Sequence, residues 1–92
     1  MKAADWIDRV KVSRGFESDY RVAKELGLSK QAVSDYRKKT STMDEGTALK
    51  VAEALGLDPA AVIIDQLAER SKDQGLRTAL QQVAAKAGLY IM

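Results

Sequence analysis

Residues 20–39 read YRVAKELGLSKQAVSDYRKK, two short amphipathic segments separated only by Gly27, Leu28 and Ser29. In the first, Val22, Ala23 and Leu26 recur at i, i+1 and i+4, the spacing of one helical face, and Gly27 stops the pattern. Ser18 is suited to cap this helix, which spans about 19–26, and Ser29 to cap a following helix of about 30–38 with Ala32, Val33 and Tyr36 facing inward. Three intervening residues are too few for a hairpin of helices lying side by side and fit a sharp turn. Ala23 stands four residues before Gly27, where the helices cross and only a small side chain lets the backbones approach. Gly27 falls where such a turn requires positive φ. With Val33 and Tyr36 closing the core behind, and Val22, Leu26 and Leu28 beside them, seven positions agree on one arrangement, a helix-turn-helix.

The remainder of the chain carries the same period and no alternating pattern of the strand kind, so the fold is expected to be all-α. Ala3, Trp6, Ile7 and Val10 form one face of a first helix that ends near Ser13, Arg14 and Gly15. Trp6, like Tyr36, is read as a core anchor. Thr42 with Glu45 three residues on predicts a capping box opening a fourth helix, whose apolar face is Ala48, Val51, Ala52 and Leu55 before Gly56. Gly46 falls in its first turn, which propensity does not explain. Asp58 and Pro59, an acidic cap and a proline at the first helical position, open a fifth helix with Val62, Ile63, Leu67 and Ala68. Ser71 with Gln74, or Asp73 alone, opens a last one with Leu76, Leu80, Val83, Ala84 and Ala87 on a stripe, ended by Gly88.

At 92 residues and 46% apolar content there is material for one domain with one core. The absence of cysteine and histidine removes disulfides, thiolate nucleophiles, His general bases and the usual zinc sites. The acidic pair Asp65 and Glu69 lacks a third ligand type nearby and is read as a solvated face. The glycines sit singly, so no loop cradles a phosphate. No enzyme activity, metal or cofactor is therefore expected, and no small-molecule substrate is evident. The first ten residues lack the apolar block of a signal peptide, and the tail AGLYIM falls short of the roughly 20 residues that cross a bilayer, which points to a cytoplasmic location. The formal charge of +2 is uneven: residues 1–39 hold ten Lys or Arg against six acids, a net +4, whereas the rest holds five against seven. A basic half beside an acidic one suits a protein with one face toward a polyanion.

VAKELGLSKQAVSDYRKK and TALKVAEALGLDPAAVI resemble the Cro and phage-repressor class of five-helix DNA-binding domains over about residues 4–68. The resemblance implies a five-helix repressor-like helix-turn-helix domain, here residues 1–70, with an additional C-terminal helix and apolar tail, residues 71–92, in the same domain. It further implies a sequence-specific transcriptional regulator of double-stranded DNA, a repressor of phage or prophage type, that binds a palindromic operator as a homodimer with its third helix in the major groove.

On that third helix the face left outside by Ala32, Val33 and Tyr36 carries Lys30, Gln31, Ser34 and Asp35, with Ser29 before them and Lys38 one turn on. Gln31 matches adenine bidentately, Lys30 reaches guanine acceptors or a phosphate, Ser34 bonds either base type, and Asp35 accepts from the cytosine amino group. Asp35 is equally suited to pair with Lys38 or Lys39 along the helix. Arg37, Lys38 and Lys39 with the hydroxyls of Thr40 and Ser41 are expected at the DNA backbone. Where the resembled family commonly opens its second helix with a phosphate-binding glutamine, this chain has Asp19, so Tyr20 or Arg21 is expected to take that contact. Asp44 and Glu45 suit a helix start but oppose a nearby phosphate.

Two other functions share these features: an antitoxin that autoregulates its operon and binds a toxin, and a relative that binds protein alone. The stripe Leu76, Leu80 and Val83, with Tyr90 and Ile91 of the tail, marks residues 74–92 as a candidate dimerisation element.

Overall fold

The computed structural model describes residues 1–38 and 41–87. The described residues form six helices and no strand: α1 Ala3–Arg14, α2 Asp19–Leu26, α3 Lys30–Lys38, α4 Glu45–Leu55, α5 Pro59–Arg70 and α6 Gln74–Lys86. The all-α expectation holds.

Most boundaries follow from residues that satisfy backbone groups at helix ends. The Ser18 hydroxyl accepts from Arg21 N at 3.2 Å, Ser29 from Ala32 N at 3.0 Å, and the Asp58 carboxylate from Ala60 N at 2.9 Å. The start of α4 differs from the expected capping box. Asp44, not Thr42, is the cap, its carboxylate accepting from Thr47 N at 2.8 Å. That backbone N–H bond draws the Asp44 carboxyl below its ordinary value. A fixed carboxylate at the positive end of a helix outcompetes a hydroxyl two residues earlier. At α6 the choice falls on Asp73, which accepts from Leu76 N at 3.0 Å. Ser71 instead closes α5. The last helix ends at Lys86 with Ala87 as its C-cap, and Gly88 lies outside the described residues.

The core gathers Ala3, Trp6, Ile7 and Val10 of α1 with Val22, Ala23 and Leu26 of α2, Val33 of α3, Ala48, Val51 and Ala52 of α4, Ala61 and Val62 of α5, and Ala84 of α6. α1 packs on α2, α3 and α4, α4 packs on α5, and α6 packs on α5. Met43, in the segment between α3 and α4, is fully buried among them.

The reading of Asp65 and Glu69 as a solvated face is overturned. Asp65 is fully buried: one oxygen accepts from the Trp6 indole at 2.8 Å and the other from the Met1 amino group at 2.9 Å. Glu69 is half-buried, 3.0 Å from the same amino group. Ala61, Val62, Asp65 and Gln66 recur at i, i+1, i+4 and i+5, so two polar residues ride on the inward face of α5, with Leu67 displaced outward. They are tolerated because they are bonded; an unpaired buried charge is expensive. The buried Gln66 accepts from Met43 N at 2.9 Å and donates to Met1 O at 2.9 Å and to Asp65 at 3.2 Å. Arg70, one turn on, donates to Met43 O at 3.3 Å. Both backbone polar groups of Met43 are thus held by α5. Among the described residues no buried side-chain nitrogen or oxygen lacks a partner.

Candidate nucleic-acid interface

The turn between α2 and α3 is built as the spacing requires. Gly27 has φ +67°, and Leu28 N donates to Ala23 O at 2.8 Å, closing the end of α2. A Cβ on Gly27 would meet only the movable Lys50 Nζ, at 3.2 Å. The dihedral, which costs other residues roughly 1–2 kcal/mol, is therefore what calls for glycine, rather than lack of space. Ala23 is buried where the helices meet.

This turn sets α3 with Val33 buried and Tyr36 half-buried against the core, burial pushing the Tyr36 phenol up. Ala32, expected inward, is half-buried. Lys30, Gln31 and Lys38 are exposed on the opposite face, with Ser34 and Asp35 half-buried beside them. Ser29 is exposed with its hydroxyl engaged in the cap. The Lys30 ammonium lies 4.6 Å from the centre of the Tyr20 ring, and Tyr20 is 57% exposed at the start of α2. The Gln31 amide donates to Asp35 Oδ1 at 2.9 Å. A groove of about 460 Å³ runs between the two helices, lined by Tyr20, Lys30, Ser34 and Lys38 with Asp19, Val33 and Arg37. Of the expected base-reading residues, Lys30 and Ser34 share this groove with Tyr20, Gln31 and Asp35 are bonded to each other one turn apart on α3, and Ser29 serves as the cap.

Arg37, at the edge of this groove, is engaged in ion pairs. Its guanidinium grips Asp19 through both carboxylate oxygens, at 2.8 and 3.0 Å, and reaches Asp8 of α1 at 2.7 Å. Lys11 adds a 3.3 Å contact to Asp19. The Arg37 hydrogen bond, working against partial burial, holds the Asp19 carboxyl below its ordinary value, while hydrogen bonds to Asp8 and Asp19 raise the guanidinium's pKa. The fork geometry is the one in which Arg holds a carboxylate most strongly. Asp19 therefore meets the outside with its charge offset by two cations. Arg21 stacks over the Phe16 ring at 5.3 Å. Asp8 and Lys11 do not stand out in the sequence, because nothing local relates residues 8 to 29 positions apart.

Of the expected backbone contacts, Ser41 is half-buried, two residues before the clamped Met43, and Lys39 and Thr40 lie outside the described residues. The expected dimerisation residues divide. Leu76 and Val83 are 53% and 48% exposed and Leu80 is half-buried, while Ala84 of the same stripe enters the core; Tyr90 and Ile91 lie outside the described residues. Among the described residues no cluster of acidic side chains suits a metal ion, and no helix is long and apolar enough to cross a membrane.

Comparison with curated proteins and with solved structures gave no significant match. Residues 18–62, from the cap of α2 into the first turn of α5, match a family model described as helix-turn-helix. That family is one of DNA-binding regulators and not an enzymatic one. Residues 18–62 are thus similar to the helix-turn-helix family of the Cro and repressor class, a likeness that supports a DNA-binding transcriptional regulator.

Proposed function

We propose that the chain is a repressor of the Cro and phage-repressor kind that binds a palindromic operator as a homodimer, with α3 in the major groove of each half-site. The observation that carries this reading is the outward face of α3, where Lys30, Gln31, Ser34, Asp35 and Lys38 stand together beside Tyr20 at the start of α2. Gln31 and Lys30 read base edges. Lys38, Tyr20 and Arg21, with the segment from Lys39 to Ser41, hold the phosphates, and the ion-paired Asp19 no longer repels them. Residues 1–70 act as the DNA-binding unit, and 71–92 bring two copies together so that half-sites lie one helical turn apart, roughly 34 Å.

A salt titration on a selected site and on a scrambled duplex tests the assignment. Gln31→Ala is expected to cost on the order of 1–3 kcal/mol on the selected site and to flatten preference at one base pair per half-site. Lys38→Ala is expected to weaken both duplexes alike and to lower the log–log salt slope by about one for each phosphate no longer neutralised, because about one fewer counterion is released. A Gln31→Ala protein that binds both duplexes as the parent does would show that α3 is not the reading element.

The second reading, an antitoxin using the same α3 face, is favoured by the exposed leucines of α5 and α6, Leu67 and Leu76, which suit a protein partner of either kind. A chain that stays monomeric at micromolar concentration yet neutralises a small toxin expressed with it would support that reading over the first.

A further inference from the structure

We propose that Asp35 is a specificity-determining positioning residue: by holding one N–H of Gln31 it leaves that side chain able to read adenine and unable to read guanine. The inference rests on α3 being the reading helix, and it deepens that assignment.

A glutamine amide carries two N–H donors and one acceptor oxygen, and a free one can turn either way toward a base. With adenine it gives one N–H to N7 and accepts from the N6 amino group; with guanine it can give both N–H groups to the two acceptors N7 and O6. An unrestrained glutamine therefore discriminates poorly between the two purines. In this chain Gln31 is exposed and Asp35 sits four residues on, one turn along the same face, with the amide nitrogen 2.9 Å from Asp35 Oδ1. A carboxylate offers acceptors only, so it fixes which end of the amide turns toward it: the nitrogen. One N–H is then used. What remains is one donor and one acceptor, the complement of adenine's major-groove edge. Against guanine, the O6 acceptor would face either the Gln31 oxygen or the Asp35 carboxylate.

The sign of Asp35's charge supports this role. On a surface that meets a polyanion a carboxylate weakens binding to every sequence. Its placement is accounted for when it improves selection between sequences rather than affinity, a trade in which unfavourable pairings with the wrong partner supply the discrimination. Asp35 is half-buried and Gln31 exposed, so the glutamine is the group that projects toward a base and the aspartate acts through it.

The experiment measures equilibrium binding to sites selected from random duplexes, and to the same sites with the Gln31-dependent A·T pair changed to G·C. Wild type is expected to prefer A·T about tenfold or more, the range of a bidentate contact. Asp35→Ala should bind both duplexes more tightly than wild type while most of the preference disappears. Asp35→Asn keeps the size and an acceptor oxygen without the charge, so it should gain affinity and retain the preference; it also keeps the question answerable if the alanine variant folds poorly. In a Gln31→Ala background, Asp35→Ala should leave base preference unchanged. An Asp35→Ala protein with wild-type preference would overturn the inference. So would a change of preference that survives Gln31→Ala, because Asp35 would then read a base itself. If Gln31→Ala changes no base preference, the assignment of α3 as the reading helix fails, and the inference with it.

Discussion

Asp19 occupies the first position of α2, where the positive end of the helix dipole favours an anion and a carboxylate competes with any phosphate. Arg37, arriving from the last turn of α3, takes up both Asp19 oxygens and Asp8 as well. The sequence shows Arg37 within the run RKK, and a charge run alone cannot say which member turns inward, since its partners are 18 and 29 residues away. Gln31 and Lys30 were legible because exposure on a short helix follows from which residues are apolar. Asp19 ionises below its ordinary value of 3.8 in the folded protein. Its pairing therefore contributes stability that is present at neutral pH and lost as pH falls below about 4, through the folded value. Arg37→Gln should remove that part of the acid-side slope. Because the pair is partly solvated, neutral stability should fall by only about 1 kcal/mol. Urea denaturation of both proteins at pH 7 and pH 3 checks this: an unchanged difference between the two pH values would show that the pair contributes nothing.

At the scale of helices, residues that satisfy backbone groups were the most legible part of the chain. Ser18, Ser29, Asp58 and Gly27 act where their chemistry places them. The start of α4 was not, because Thr42 and Asp44 both qualify as caps by residue type, and it is the Asp44 carboxylate that the folded segment sets against Thr47 N. Asp44→Ala should cost about 1 kcal/mol of stability. Thr42→Ala should change stability by less than about 0.5 kcal/mol, as surface substitutions away from a cap do. Thermal unfolding of the two variants decides it, and equal destabilisation would show that the cap is shared. α5 departs from its sequence pattern for a different reason. An inward stripe drawn through Ile63 and Leu67 hides the set Ala61, Val62, Asp65 and Gln66, in which hydrogen-bonding partners from α1 and from the segment before α4 make polar residues core residues. Such partners are remote in sequence and leave no local pattern.

For the molecule as a whole, the balance between core and surface is closest on α6. Its one buried residue is Ala84, which enters the core, while Leu76 and Val83 stay about half exposed with the half-buried Leu80 between them. The sequence showed one apolar stripe but not its centre line, which depends on how closely α6 settles on α5. If this surface joins two copies, replacing Leu76 and Val83 together by Lys should turn a dimer into a monomer in sedimentation at micromolar concentration. Operator affinity should then fall on the order of 100-fold, because the second half-site is no longer tethered to the first. A wild-type chain that sediments as a monomer, bound to its operator or not, would remove α6 from this role. The grip of Gln66 and Arg70 on Met43 bears on how far this domain is modular. The matched family segment stops at residue 62, but the segment following α3 is fastened from residues 66 and 70. Transplanting residues 18–62 into another regulator would carry over the α2–α3 turn but leave behind the amide and guanidinium that hold Met43 in register and the α1 carboxylate that holds Arg37, so the smallest graft with its geometry intact runs from α1 to Arg70.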